Sequence, residues 1–264
     1  MTGFKFSLLT WLVWPIRIPK SFLLFKGEVF VKRNMTLFSV FLILATMVFS
    51  IGCSKDVVTL SYPFVDFNDI NISSAYKVEI TKADSFSITI TTDSDKIDFL
   101  EVTQVSNRLS VGIVSHSPLI DFDTLEAKIA LPDIFNITLL GAIKAELRGF
   151  NFNHSFRANL SGASNFSGEM ETGDVQFVVD GASRLKLSGS GNNMLADIYG
   201  ASSVNLSDFT VSNATIFMSS ASNATVNLDG ILNANLSGAS KLVYKGNPSL
   251  GAISTSESST ISGG

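Results

Sequence analysis

Two histidines, His116 and His154, two runs of carboxylates and a single cysteine, Cys53, are the residues whose chemistry reaches beyond packing. Acid–base catalysis or a metal site needs such groups brought together by short spacing or by facing elements. The histidines stand 38 residues apart, each in a polar, turn-like stretch, and read as surface loop residues. Asp93, Asp95 and Asp98, and again Asp121, Asp123 and Glu126, are close enough in sequence to gather Ca²⁺. Neither run follows a calcium-loop pattern, and carboxylates are common in turns because they hydrogen-bond nearby backbone. No zinc spacing, phosphate-binding loop or nucleophile elbow occurs. The expectation is no catalytic residue, no metal and no cofactor. Arg157, Arg184 and Lys186 with Asp180 and Asp197 would suit a polysaccharide-acting enzyme if one face of a β-scaffold carried all five, and they define the alternative reading.

Cys53 owes its interest to its position. From Met35 the chain reads MTLFSVFLILATMVFSIGCSKD behind Lys32 and Arg33: a basic flank, an apolar run, small residues, then Cys. This is the layout of an export signal over residues 29–52. Ser50-Ile51-Gly52-Cys53 resembles the lipobox of prokaryotic lipoproteins, which implies a lipid on the Cys53 thiol and a mature chain that starts there. Ser50 stands where an aliphatic residue is usual. The competing reading is an uncleaved anchor, since 36–52 carries no charge and approaches the length of a membrane span. Residues 1–34 fit neither pattern, and translation is expected to start near Val29, Val31 or Met35. Either anchor puts the rest outside the cytoplasm, in the cell envelope, with 53–61 as a tether and 62–264 as the folded domain.

Six of the 19 basic and one of the 23 acidic residues precede Cys53, leaving 13 against 22, a net charge of −9, beyond it. That balance argues against nucleic acid as a partner. One cysteine excludes an intrachain disulfide and a cysteine metal site. Past residue 60, Ser, Thr, Asn, Val, Ile and Phe between frequent Gly give the composition of short strands and turns.

The elements that would position any site come from a repeat. Its anchors are Gly141-Ala142-Ile143, Gly162-Ala163-Ser164, Gly181-Ala182-Ser183, Gly200-Ala201-Ser202, Ser220-Ala221-Ser222 and Gly238-Ala239-Ser240, spaced 21, 19, 19, 20 and 18 residues apart. A degenerate seventh copy falls at Glu257-Ser258-Ser259. The second, fourth and sixth residues before each anchor are apolar, the sixth column starting at Phe135 and Phe156. Apolar columns resume four and six residues after it. Each unit reads as strand, small-residue corner, strand with one buried face. Stacked copies would place like over like in a β-solenoid of about 19-residue coils. The corners Gly141, Gly162, Gly181, Gly200, Ser220 and Gly238 are read as structural, because a tight turn at every level leaves little room for side chains. Ser220 in place of Gly argues that this position does not need a positive φ in every coil.

On these motifs, and on the tail Tyr244-Lys245-Gly246-Asn247-Pro248 with its Ser-rich close, the chain from Tyr62 to Gly264 resembles the putative auto-transporter adhesin, head GIN domain family. The resemblance implies a right-handed, parallel β-helix-like fold in envelope lipoproteins, and it brings no catalytic residues. Between Val57 and Pro132 the repeat fades while alternation persists, as in Tyr76–Ile80 and Phe86–Ile90, so additional strands are expected to begin or cap the solenoid. The combined reading is an all-β, non-catalytic, adhesin-like envelope module. Its expected partners are the membrane, through the lipid or N-terminal anchor, and a glycan or envelope protein, with self-association left open.

Overall fold

The computed structural model describes residues 56–114 and 121–264. Cys53, the export signal and His116 lie outside them. The repeat resolves into strands in pairs. β8 (Asn136–Gly141) enters the first Gly-Ala corner and β9 (Lys144–Asn151) leaves it. The unit recurs as β10 (Phe156–Gly162) with β11 (Asn165–Glu171), and β12 (Val175–Val179) with β13 (Arg184–Ser190). Then come β14 (Asn193–Ile198) with β15 (Ser203–Val211), β16 (Asn213–Met218) with β17 (Asn223–Leu228), and β18 (Ile231–Leu236) with β19 (Lys241–Lys245). β20 (Ser249–Thr255) and β21 (Thr260–Gly263) turn at Glu257-Ser258, so the degenerate seventh copy is a coil.

Every strand of this series pairs in parallel with its counterpart one coil away. The strands that enter corners belong to a 10-stranded front sheet, and those that leave them to an 11-stranded back sheet. The register realises the columns read from sequence: Ile137, Ala158, Phe177, Ala196, Ile216 and Ala234 stack in ladder partners, all buried. Large and small side chains alternate up that column, which lets neighbouring levels interdigitate. The residue after each Gly-Ala pair also points inward, so Ile143, Ser164, Ser183, Ser202, Ser222 and Ser240 form a buried corner column.

The N-terminal part is built from the same unit in a different chain order. β2 (Asp69–Ser74) pairs with β8, and β3 (Lys77–Lys82) with β9, so these strands are the coil next to the first Gly-marked one. Their corner is Ser74-Ala75-Tyr76, with Ser74 at φ 86° opposite Gly141 and Tyr76 in the buried corner column. Beyond it lies a coil made later in the chain, β6 (Arg108–Ile113) and β7 (Leu125–Leu131). The chain therefore passes from β7 over the β2–β3 level to reach β8. In that crossover Ile134 turns inward while Phe135 is 37% exposed. This corrects the apolar column, whose first member is not Phe135; the crossover breaks the register one residue before β8.

Three strands close this end. β4 (Ser87–Asp93) runs antiparallel to β7, β1 (Val57–Tyr62) antiparallel to β4, and β5 (Leu100–Val105) antiparallel to β6. β1 thus takes in residues ahead of the Tyr62 boundary expected from sequence. Antiparallel hairpins are suited to finishing a parallel stack, because a strand that folds back pairs the edge without starting another coil.

Candidate binding surfaces

The corners show why Gly recurs. Gly162, Gly181 and Gly200 take φ of 81°, 77° and 66°, and a Cβ on each would lie 2.4–2.7 Å from the carbonyl oxygen of the Gly one coil back. The next N–H donates to that same oxygen: Ala163 to Gly141, Ala182 to Gly162 and Ala201 to Gly181, at 2.7–2.8 Å. Ser220 corrects the sequence expectation, since it too has positive φ, at 62°. It is tolerated because the corner changes there: Ala221 also takes φ 65°, and its N–H donates forward to Gly238 O at 2.6 Å instead of back. The reversal persists in the last corners, where Ala239 donates to Glu257 O.

Outward residues of the front sheet line up as Asp69, Asn136, Arg157, Gln176, Leu195 and Thr215 across successive strands. A groove of about 640 Å³ runs over the middle of this row, walled by Phe135, Asp174 and Leu195 and floored by Asn136, Arg157 and Gln176. No carboxylate lies within ion-pair distance of Arg157 among the described residues. Asp174 is turned to Asn193, accepting from its backbone N–H and its Nδ2 at 3.1 and 2.9 Å.

Phe135 is held as a platform at the groove's edge. The His154 ring is sandwiched between Phe135 and Phe152, with centroids 3.9 and 4.1 Å away and planes within 8°. His154 Nδ1 lies 3.0 Å from Ser155 O and Nε2 2.9 Å from an Asp133 carboxylate oxygen. Both ring nitrogens thus have a polar partner, which fixes the orientation of the ring between the two phenylalanines. The sequence reading of His154 as a plain surface residue missed this stack; the signal was three aromatic rings, Phe150, Phe152 and His154, at alternate positions. A second, shallower depression on the front sheet holds Tyr199, Phe217, Asp197 and Asn235. Burial, and then the charge of Asp197, push the Tyr199 phenol above its ordinary range.

One carboxylate of these runs, Asp93, has a structural role. Asp93 is buried and accepts from the backbone N–H groups of Asp123 and Thr124 at 2.9 and 3.2 Å, pinning the segment before β7. Among the described residues no three His, Cys, Asp or Glu side chains gather as a metal site would require. The five residues that would have made an enzymatic face are divided. Arg157 and Asp197 belong to the front sheet and Asp180 to the corner after β12, whereas Arg184 and Lys186 project from β13 of the back sheet. An alternative built on all five together fails on that geometry.

What remains is a parallel β-solenoid of two sheets, closed at its N-terminal end by antiparallel strands, with an aromatic-edged groove on its front sheet. The chain belongs to the putative auto-transporter adhesin, head GIN domain family, whose profile matches residues 66–248. Solved structures agree on the fold. A putative adhesin from Bacteroides fragilis NCTC 9343 has TM-score 0.74 and 17% identity, over 80% of this chain and 98% of that one. A putative adhesin from Parabacteroides distasonis ATCC 8503 gives 0.62 and 13%, over 78% and 97%. A putative lipid binding protein from the same organism gives 0.60 and 17%, over 79% and 96%. Comparison with curated proteins gives no match.

Proposed function

We propose that the protein is an exported, non-catalytic binding module of the cell envelope, tethered through a lipid on Cys53, and that its front-sheet groove binds a glycan. The groove carries this reading. Its aromatic edge at Phe135 suits the apolar face of a sugar ring, and Asn136, Arg157 and Gln176 can hydrogen-bond hydroxyls in a row set by the strands. Family membership and the adhesin names of the structural relatives support an envelope location and a binding role. A tether at Cys53 would leave only a few residues before β1, so the closed end of the solenoid would sit near the membrane.

The test is a glycan array probed with the full-length protein in detergent, alongside Phe135→Ala and Gln176→Ala. Selective glycan binding that both substitutions weaken supports the proposal; binding indifferent to both removes the groove. One relative's name points to lipid, and the exposed Leu195, Tyr199 and Phe217 would serve an acyl chain. Fatty-acid uptake competing with no glycan would move the assignment there. Continued membrane fractionation of Cys53→Ser without lipid labelling would sink the lipid tether.

A further inference from the structure

We infer that the outer face of the back sheet is a second binding surface, for an acidic polysaccharide laid across its strands along the solenoid axis. The inference is independent of the groove, which opens on the opposite sheet.

Charge is divided between the faces. The back sheet carries Lys128, Lys144, Arg184, Lys186 and Lys241, none within ion-pair distance of a carboxylate among the described residues. Several acids of that face are already engaged: Glu126 with Lys77 at 2.8 Å, Glu146 with Arg148 at 2.8 Å, and Glu171 with Asn151 at 2.6 Å. Among the described residues the front sheet has no such surplus: there the unpaired Arg157 is matched by Asp197 on β14. A chain of net charge −9 beyond Cys53 thus keeps a surplus of free cations on one face.

The cations stand in a grid of neutral hydrogen-bonding groups. One ladder row reads Asn165, Arg184, Ser203, Asn223, Lys241, and the row beside it Ser167, Lys186, Asn205, Thr225. Over these coils neither row contains a carboxylate; towards the N-terminal end the second row continues into Glu146 and Glu79, both within ion-pair distance of Arg148, while the first continues into Lys144. Glu169 and Asp208 lie one row further along their strands, level with Ser188. Strands advance about 4.8 Å per step, comparable to one sugar of an extended polysaccharide. Amides and hydroxyls then meet sugar hydroxyls while Arg184 and Lys186 meet carboxylates, the guanidinium in bidentate fashion.

The same face argues against other polyanions. Apart from Val57 at its far edge, none of the exposed large apolar side chains among the described residues lies on the back sheet, so nothing there would enter a bilayer. No aromatic ring lies in these rows on which a nucleobase would stack.

The experiment titrates full-length protein in detergent with polygalacturonate, using dextran, single-stranded DNA and phosphatidylglycerol vesicles as comparisons. Arg184→Gln/Lys186→Gln is compared with Phe135→Ala, and melting curves confirm folding of each. The expected result is salt-sensitive polygalacturonate binding that Arg184→Gln/Lys186→Gln weakens about tenfold or more and Phe135→Ala leaves unchanged. Absence of polygalacturonate binding, equal binding of DNA, or vesicle binding in its place overturns the inference. Loss through Phe135→Ala alone would also overturn it, assigning the polysaccharide to the groove.

Discussion

At the level of single residues the corner positions carry the strongest constraint, and the sequence exposed it only in part. Gly at the anchor was legible as a tight turn. That Ser220 also sits at positive φ was not, because the device that permits it, an N–H donating forward instead of back, leaves no mark in residue type. The two kinds of corner make opposite predictions. In Gly181→Ala the new methyl would have to occupy φ 77° and come within 2.5 Å of Gly162 O, a backbone atom with no freedom to move aside. A loss of about 2 kcal/mol or more is expected. Ser220→Gly removes a side chain from an already left-handed position and should gain up to about 1 kcal/mol. Urea midpoints of the two variants decide the matter: a neutral Gly181→Ala would show that the ladder does not constrain that corner.

Among the elements, the apparent fading of the repeat before Pro132 reflects chain order. β2–β3 and β6–β7 are coils like the others, but the later pair lies outside the earlier one, and a spacing rule assumes that neighbours in sequence are neighbours in space. Alternating apolarity still revealed β3, since burial of one face needs no particular neighbour, whereas β2 was not read from the sequence. Tyr76 fastens the two coils: fully buried, its hydroxyl donates to Gly112 O at 3.0 Å. Burial first, and then the charge of Tyr62, push its phenol well above the ordinary tyrosine value. The folded state therefore favours the protonated ring. Its contribution is complete below the ordinary pKa of about 10 and is lost as pH climbs from there towards the raised one. Tyr76→Phe should cost about 1 kcal/mol near neutrality by leaving Gly112 O without its donor. It should also reduce the alkaline fall in stability, which melting curves taken on either side of that pH would register; an unchanged alkaline fall would place its origin elsewhere.

For the molecule as a whole, a stack in which each coil touches only its neighbours has stability that varies along its length. The N-terminal end is closed by β1, β4 and β5, and Ile70, Ile72, Ile80, Ile137 and Leu139 behind them are fully buried. At the other end β20 and β21 bury no side chain fully, although the parallel ladder continues through them. The repeat in the sequence was uniform enough to suggest equal coils. The gradient became visible only once Ile253 and Ile261, apolar residues in the correct columns, proved to be partly exposed for want of partners on one side. Binding faces inherit this gradient: the groove at Arg157 and the cations Arg184 and Lys186 lie on central coils, with neighbours above and below to hold their spacing, whereas Lys241 lies near the loose end. Backbone opening should accordingly cost least in β20 and β21 and most between β2 and β12. Amide hydrogen exchange on the full-length protein is expected to show protection rising coil by coil from residue 264 towards residue 137. Uniform protection across the coils would mean that the solenoid opens as one cooperative unit, and that the side-chain grid on Lys241 is as firmly spaced as that on Arg184.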